Sequence, residues 1–337
     1  MVYRNVERLM RSQAKIEVVR GVPEATTSRI LYGRMTRTID RPPTDEPEAT
    51  GTWFGRDEGG FAQGVTRVSY TYTERMTFED MAWWLQLILR NGVTGVSDGG
   101  TTTPGYLWAF TPHATDDLLA TATVEAGDPD NVSKSSMLAV MSANFRFDQG
   151  ASPYWQMDLN FMARQDVASA FTAALADRTR ESIRSAGTKV FIDTTGAIGT
   201  TQLLATLRSG NIGINNNLEE KVFSEDETAI SSDFARGEQV VTADLVLEQK
   251  NRSYLDKYLV GETQKVRIQK DGSVIHTAPT AASKRWEVDI PVAKMQSFAD
   301  GMAGQNKIQT LGMMGYRNAA NPVPIICRVV NGLATLP

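Results

Sequence analysis

Residues 137–165 read "MLAVMSANFRFDQGASPYWQMDLNFMARQ". The stretch reads as one long hairpin, turning through "DQGASP". In its second strand Trp155, Met157, Leu159 and Phe161 share one face, and Gln156, Asp158 and Asn160 share the other. That period of two predicts a half-buried antiparallel sheet, one face on a core and one in water.

Working outward, the same grammar recurs. "RILYGRMTRTID" (29–40) reads as a strand, followed by "RPPTDEPEATG", whose prolines exclude a central strand. "VTRVSYTYT" (65–73) alternates again and runs into "TFEDMAWWLQLILRNG" (77–92). The spacing there predicts a helix over 78–90: Thr77 before Asp80 supplies a capping-box-like start, and Asn91-Gly92 a stop. "YLWAFTP" (106–112) and "TATVEAG" (121–127) are further strand segments. An Ala/Ser/Thr-rich stretch at 168–186, expected to be partly helical, reads as a connection between halves.

The second half repeats the order of strand, acidic loop, strand, short helix and hairpin. "GRMTRTID" (33–40) matches "RSGNIGIN" (208–215) at an offset of about 175, and "TFEDMAWWL" (77–85) matches "NRSYLDKYL" (251–259) at about 174. "FDQGASPYWQMDLNF" (147–161) is set against "YRNAANPVPIICRVV" (316–330) at about 169. The expectation is a diverged tandem duplication, weighed against two unrelated β-rich domains. A length of 337 residues suits two domains of roughly 150 each.

Composition narrows the function. The chain is 41 % apolar and 22 % charged with a net charge of −4, so it lacks the basic excess of a phosphate-backbone binder. Arg146 in "ANFRFD" is a solitary hint of nucleic-acid contact. The N-terminal 21 residues lack the apolar core of a secretory signal. No stretch approaches the ~20 apolar residues of a membrane span. A soluble protein is expected.

One cysteine, Cys327, rules out an internal disulfide framework, and its setting in "PIICRVV" reads as a buried strand. Two histidines, His113 and His276, exclude most histidine metal clusters. His113 lies near Asp116 and Asp117, which reads as a general base with an orienting acid or, more simply, as a loop histidine beside solvated acids. "GAIGTT" (196–201) has glycines but neither the fingerprint nor the lysine of a phosphate cradle. The acidic groups at 45–48, 128–131 and 224–227 lack the ligand spacing of a calcium loop. No catalytic residue, cofactor or metal is expected.

Taken in order, "RILYGRMTRTID", the Pro/acid loop, "TFEDMAWWLQLIL", "TPGYLWAFTPHATDDLLATATVEAGD", "SSMLAVMSANFRF" and "YWQMDLNFMARQ" resemble the tail tube proteins of long-tailed bacteriophages, in a form with two tube-type domains per chain. The strand pair at 110–128 and the strand "QMDLNFMAR" carry most of the likeness. It covers 25–165 well and 187–333 weakly. The resemblance implies a mainly β fold with flanking helices: two tandem β-sandwich or half-barrel domains. The expected division is an N-terminal arm (1–28), domain 1 (29–167), the connection (168–186) and domain 2 (187–337).

It also implies a structural, non-enzymatic virion protein, assembled in the host cytoplasm into the tail. Its expected partners are itself, in trimeric rings of pseudo-sixfold symmetry stacked into a tube, and the tape-measure, terminator and baseplate proteins. DNA would pass without specific binding, and a hexamer of chains is the competing geometry. Channel-lining positions are Gln156, Asp158, Asn160, Asp244 and Glu248. On the helix, Trp84 reads as core, whereas Trp83 and Leu87 fall on a second flank and read as interface residues toward an adjacent subunit or the sister domain. The rival readings are a terminator or baseplate protein, or a β-rich carbohydrate-binding or hydrolytic protein whose cleft would hold Trp83, Trp84, Trp108, Trp155 and His113.

Overall fold

The 137–165 stretch forms its hairpin, pairing from Ala139 opposite Met162 to Asp148 opposite Ser152, and the strand entering it begins earlier, at Asn131. Around it the computed structural model describes residues 11–26, 29–31, 33–45, 61–99, 104–112, 119–128, 130–173, 175, 178–223, 230–277 and 281–336.

The first half runs Arg11–Ile16 (β1), Arg29–Leu31 (β2), Arg34–Asp40 (β3), Pro43–Asp45 (β4), Phe61–Gln63 (β5), Arg67–Arg75 (β6), Met81–Ile88 (α1), Val96–Ser97 (β7), Tyr106–Phe110 (β8), Ala122–Asp128 (β9), Asn131–Asp148 (β10), Ser152–Ala163 (β11) and Gln165–Ser169 (β12). The second runs Lys189–Asp193 (β13), Leu207–Asn215 (β14), Leu218–Lys221 (β15), Asp233–Arg236 (β16), Val240–Glu248 (β17), Ser253–Leu259 (α2), Gln264–His276 (β18), Ala282–Ala303 (β19), Asn306–Gly315 (β20) and Ile326–Asn331 (β21). The fold is thus mainly β, with two short helices among the described residues.

Strand pairing repeats between the halves. β3–β6–β11–β10 in the first has its counterpart in β14–β17–β20–β19 in the second. In each half the long last strand also enters a second sheet, β1–β9–β10–β12 or β13–β18–β19–β21. Each half carries a two-stranded side ribbon at the same place, β4–β5 or β15–β16. Even the bulge is repeated: pairing slips between Val140 and Ser142 against β11, and between Met295 and Ser297 against β20. A bulge kinks a strand, which suits one strand serving two sheets.

The third sequence landmark is corrected by this pairing. β11 corresponds to β20, not to the 316–330 stretch, and β21 takes the place of β12. Few identities survive there, so Pro153 over Pro322 was a chance match. The connection also differs. Among its described residues no helix forms, because its backbone bonds neighbouring segments: Ile183 N–H donates to Met76 O and Trp155 N–H to Ile183 O.

The halves join directly. β10 pairs with β14, and β21 with β8, so strands of both halves share one core. α1 lies inside that core with every residue from Met81 to Ile88 buried, as expected of a helix apolar all round. Thr77 Oγ1 accepts from Asp80 N–H at 3.3 Å, and Gly92, at φ +74°, makes the left-handed turn that ends the segment. Second-half residues bond its flanks: Asn331 Nδ2 donates to Phe78 O and Asn216 Nδ2 to Ile88 O, each at 3.1 Å.

Candidate assembly surface

Alternation sorts the hairpin as its sequence demands: Trp155, Met157, Leu159 and Phe161 are buried, and Gln156, Asp158 and Asn160 point to the other face. Pairing then extends that polar face across both halves. Thr71, Asn160, Ser142 and Asn215 stand side by side on β6, β11, β10 and β14. Further along, Arg75, Gln156, Arg146, Asn211 and Asp244 form a parallel row that reaches β17. Glu248 alternates onto the same face of β17, opposite Ile308.

Four of the expected channel positions therefore sit close together on one face, with Glu248 at its margin. The face is polar but balanced in charge. Asp158 receives Arg146 at 2.5 Å and Thr73 Oγ1 at 2.9 Å, while Asn160 Nδ2 donates to Ser142 Oγ at 2.8 Å. The Arg146 pair and the β10–β14 join were not legible in the sequence, because cross-strand neighbours depend on register.

Backing this face is the aromatic core. Trp84 meets Tyr72 at 4.9 Å between ring centroids and Trp83 edge-on at 4.7 Å. Trp83 and Leu87, expected to contact a neighbour, are 1 % and 0 % exposed within the single chain. It is the sister half that closes over this helix, through Asn216 and Asn331. Trp108 and Trp155 are buried as well; of the four tryptophans, Trp83 and Trp108 border a pocket that they share with Ile16, Val93 and Leu336. His113 lies outside the described residues.

Other sequence motifs resolve into structure. In "GAIGTT" the backbone N–H groups of Gly199, Thr200 and Thr201 donate to the chain's own Asp193 carboxylate at 2.7–3.1 Å, leaving that cradle filled. Burial works to raise the Asp193 carboxyl, yet these donors and the Thr200 hydroxyl hold it well below the ordinary carboxylate range. His276 Nε2 bonds Asp98 at 2.8 Å, tying the loop before β8 to β18. Cys327 is buried, which pushes its thiol far upward and makes it inert. Among the described residues no cluster of three acidic, histidine or cysteine side chains is placed to hold a metal. Nor is any described helix long and apolar enough to cross a membrane.

The polar sheet has two ends. Among the described residues β3 pairs only with β6, and the 294–303 part of β19 only with β20. Unpaired edges of this length are templates for another strand.

A family model described as "Phage tail tube protein" matches residues 11–284. No curated protein matches the chain.

Proposed function

Because the chain belongs to the phage tail tube protein family, a structural family of the virion tail, we propose that it is the major tail tube subunit, assembling into stacked rings around a channel for phage DNA. The observation that carries this reading is the eight-stranded polar sheet, β3–β6–β11–β10–β14–β17–β20–β19, open at both ends. Sheets with free edges are stabilised by closure, and closure across copies removes the edges. A heterologous contact that closes by rotation gives a ring.

With four repeated strands in each half, a single-domain subunit is present twice per chain. Three copies then make a ring of pseudo-sixfold symmetry, and the polar face lines its bore. Gln156, Asp158, Asn160, Asp244 and Glu248 are the lining residues in this reading. Their amide and carboxylate character offers passing DNA no net array of cations, and counterion release, the main source of DNA affinity, is not engaged. Tape-measure, terminator and baseplate proteins would be the neighbours along and at the ends of the tube.

Negative-stain electron microscopy of the purified protein tests the proposal. Stacked rings or tubes of constant bore are expected. A stable monomer at high concentration would refute it, and single rings that never extend would assign the chain to a terminator or baseplate role.

A further inference from the structure

The join between the two halves inside one chain supplies a template for the join between two chains. Following partners strand by strand, Ser142 lies opposite Asn160, Asn160 opposite Thr71, and Thr71 opposite Thr36. Starting from the equivalent bulge in the second half, Ser297 lies opposite Gly312, Gly312 opposite Asp244, and Asp244 opposite Asn211. Thr36 of β3 therefore occupies the place of Asn211 in β14. Within the chain Asn211 pairs with Arg146, four residues beyond Ser142. The equivalent of Arg146 is Gly301, four residues beyond Ser297.

We infer that the 297–302 edge of β19 pairs antiparallel with the 35–40 edge of β3 in a second copy of this chain, with Gly301 opposite Thr36. This rests on the tube reading and specifies its contact. The register then sets Ala299 opposite Thr38, Asp300 opposite Arg37, and Met302 opposite Met35.

Three independent features of the surface fit that occupant. First, the register places the exposed carboxylate of Asp300 beside the guanidinium of Arg37, which already pairs with Asp166 in the single chain and stays partly exposed, so the contact would add a second carboxylate to it. Second, it brings apolar groups together: Ile39, 49 % exposed, meets Phe298, and Met302, 61 % exposed, lies over the edge of the core at the buried Met35. Phe298 already stacks on Tyr258 of α2, with ring centroids 6.3 Å apart, so Ile39 would extend an existing apolar cluster. Third, the two helices differ in the way a missing neighbour predicts. α1, covered by the second half, is wholly buried, whereas α2 has no buried residue and leaves Leu259 and Val260 at 63 % and 77 % exposure. The next copy would cover α2 as the second half covers α1.

Disulfide trapping tests the register. A chain carrying Thr38→Cys and Ala299→Cys has both thiols on the polar face, and the native Cys327 is buried and does not compete. Directly opposed residues lie within disulfide reach, whereas a four-residue shift moves the partner by roughly 13 Å. Oxidation of assembled particles should convert the Thr38→Cys/Ala299→Cys chain into covalent oligomers that end at the ring's copy number. The shifted pair Thr38→Cys/Ala303→Cys should remain monomeric on a non-reducing gel. Equal cross-linking of both pairs, or none at the matched pair in particles that micrographs show as rings, overturns the register while leaving the tube reading intact. Absence of rings in the unmodified protein overturns both. As a second readout, Ile39→Asp changes an exposed side chain, so the chain should keep its melting transition and lose ring formation; rings that persist would count against the contact.

Discussion

Asn216 of the second half donates its amide to the Ile88 carbonyl at the end of α1, 3.1 Å away, and to the Val140 carbonyl of β10 at 2.9 Å. One fully buried side chain thus ties the central helix, the first half's longest strand and the start of the second half together. Replacing it with alanine leaves two buried carbonyls without this donor, at a cost of about 1–3 kcal/mol each. Asn216→Ala is expected to lower the denaturation midpoint in a single cooperative transition read by both fluorescence and circular dichroism. Two separate transitions in the parent protein would show that the halves unfold independently.

The paired tryptophans make a second case. Trp83 and Trp84 are both buried and meet edge to face, so truncating either opens a large cavity. Each substitution to alanine should cost about 3–5 kcal/mol. Had Trp83 been an exposed contact residue, Trp83→Ala would leave chain stability unchanged and weaken only assembly. Urea titrations at a concentration below that of assembly separate these outcomes.

How much of this was legible beforehand follows from what each feature depends on. Strand alternation at 155–161 and the Thr77 and Gly92 signals are local, and the structure places those segments where the sequence did. The repeat was legible through β3 and α1, whose landmarks kept their spacing. It failed at β11, where Leu159 and Leu311 share a place but their surroundings have diverged. The reading of Trp83 leaves the adjacent subunit and the sister domain open as its cover for a physical reason. A second apolar flank on a helix says that something covers it, and only the β10–β14 and β8–β21 pairings say that the cover is the chain's own other half. Arg146 was seen as an isolated cation because its partner, Asp158, is next to it only across the hairpin.

Acid should loosen the whole chain rather than one half, since Glu125 and Asp128 of the first half are held below their ordinary values, as are carboxyls of the second. The carboxyls of Asp193, Glu181 and Asp271 are all held below their ordinary values: each is opposed by its own burial, and each is outweighed by donors, from the 199–201 loop, from Ser273 and Lys284, and from Lys189 and Arg285 respectively. A depressed folded-state value contributes stability that is present above the unfolded-state value and lost as pH falls toward the folded one. Melting temperature is therefore expected to hold from about pH 7 to pH 5 and to fall progressively below about pH 4. Asp193→Asn should melt lower at neutral pH and show a shallower acid slope. An unchanged slope would remove Asp193 from the account.

The polar face carries its own prediction. Asp244 is exposed, and Asp158 neutralises Arg146. Replacing both acids by lysine converts a balanced wall into a cationic one without touching the core beneath. Tubes should still assemble, and phages carrying the change should release DNA more slowly, with the defect relieved by added salt. Normal ejection kinetics would place this face on the outside of the tube.

The most direct test of the central claim is the rotational symmetry of end-on averages of the tube. Three copies per ring with six near-equal lobes around the bore is the predicted result, each chain supplying two. Six copies per ring, with the second half displayed outside the barrel, would contradict it.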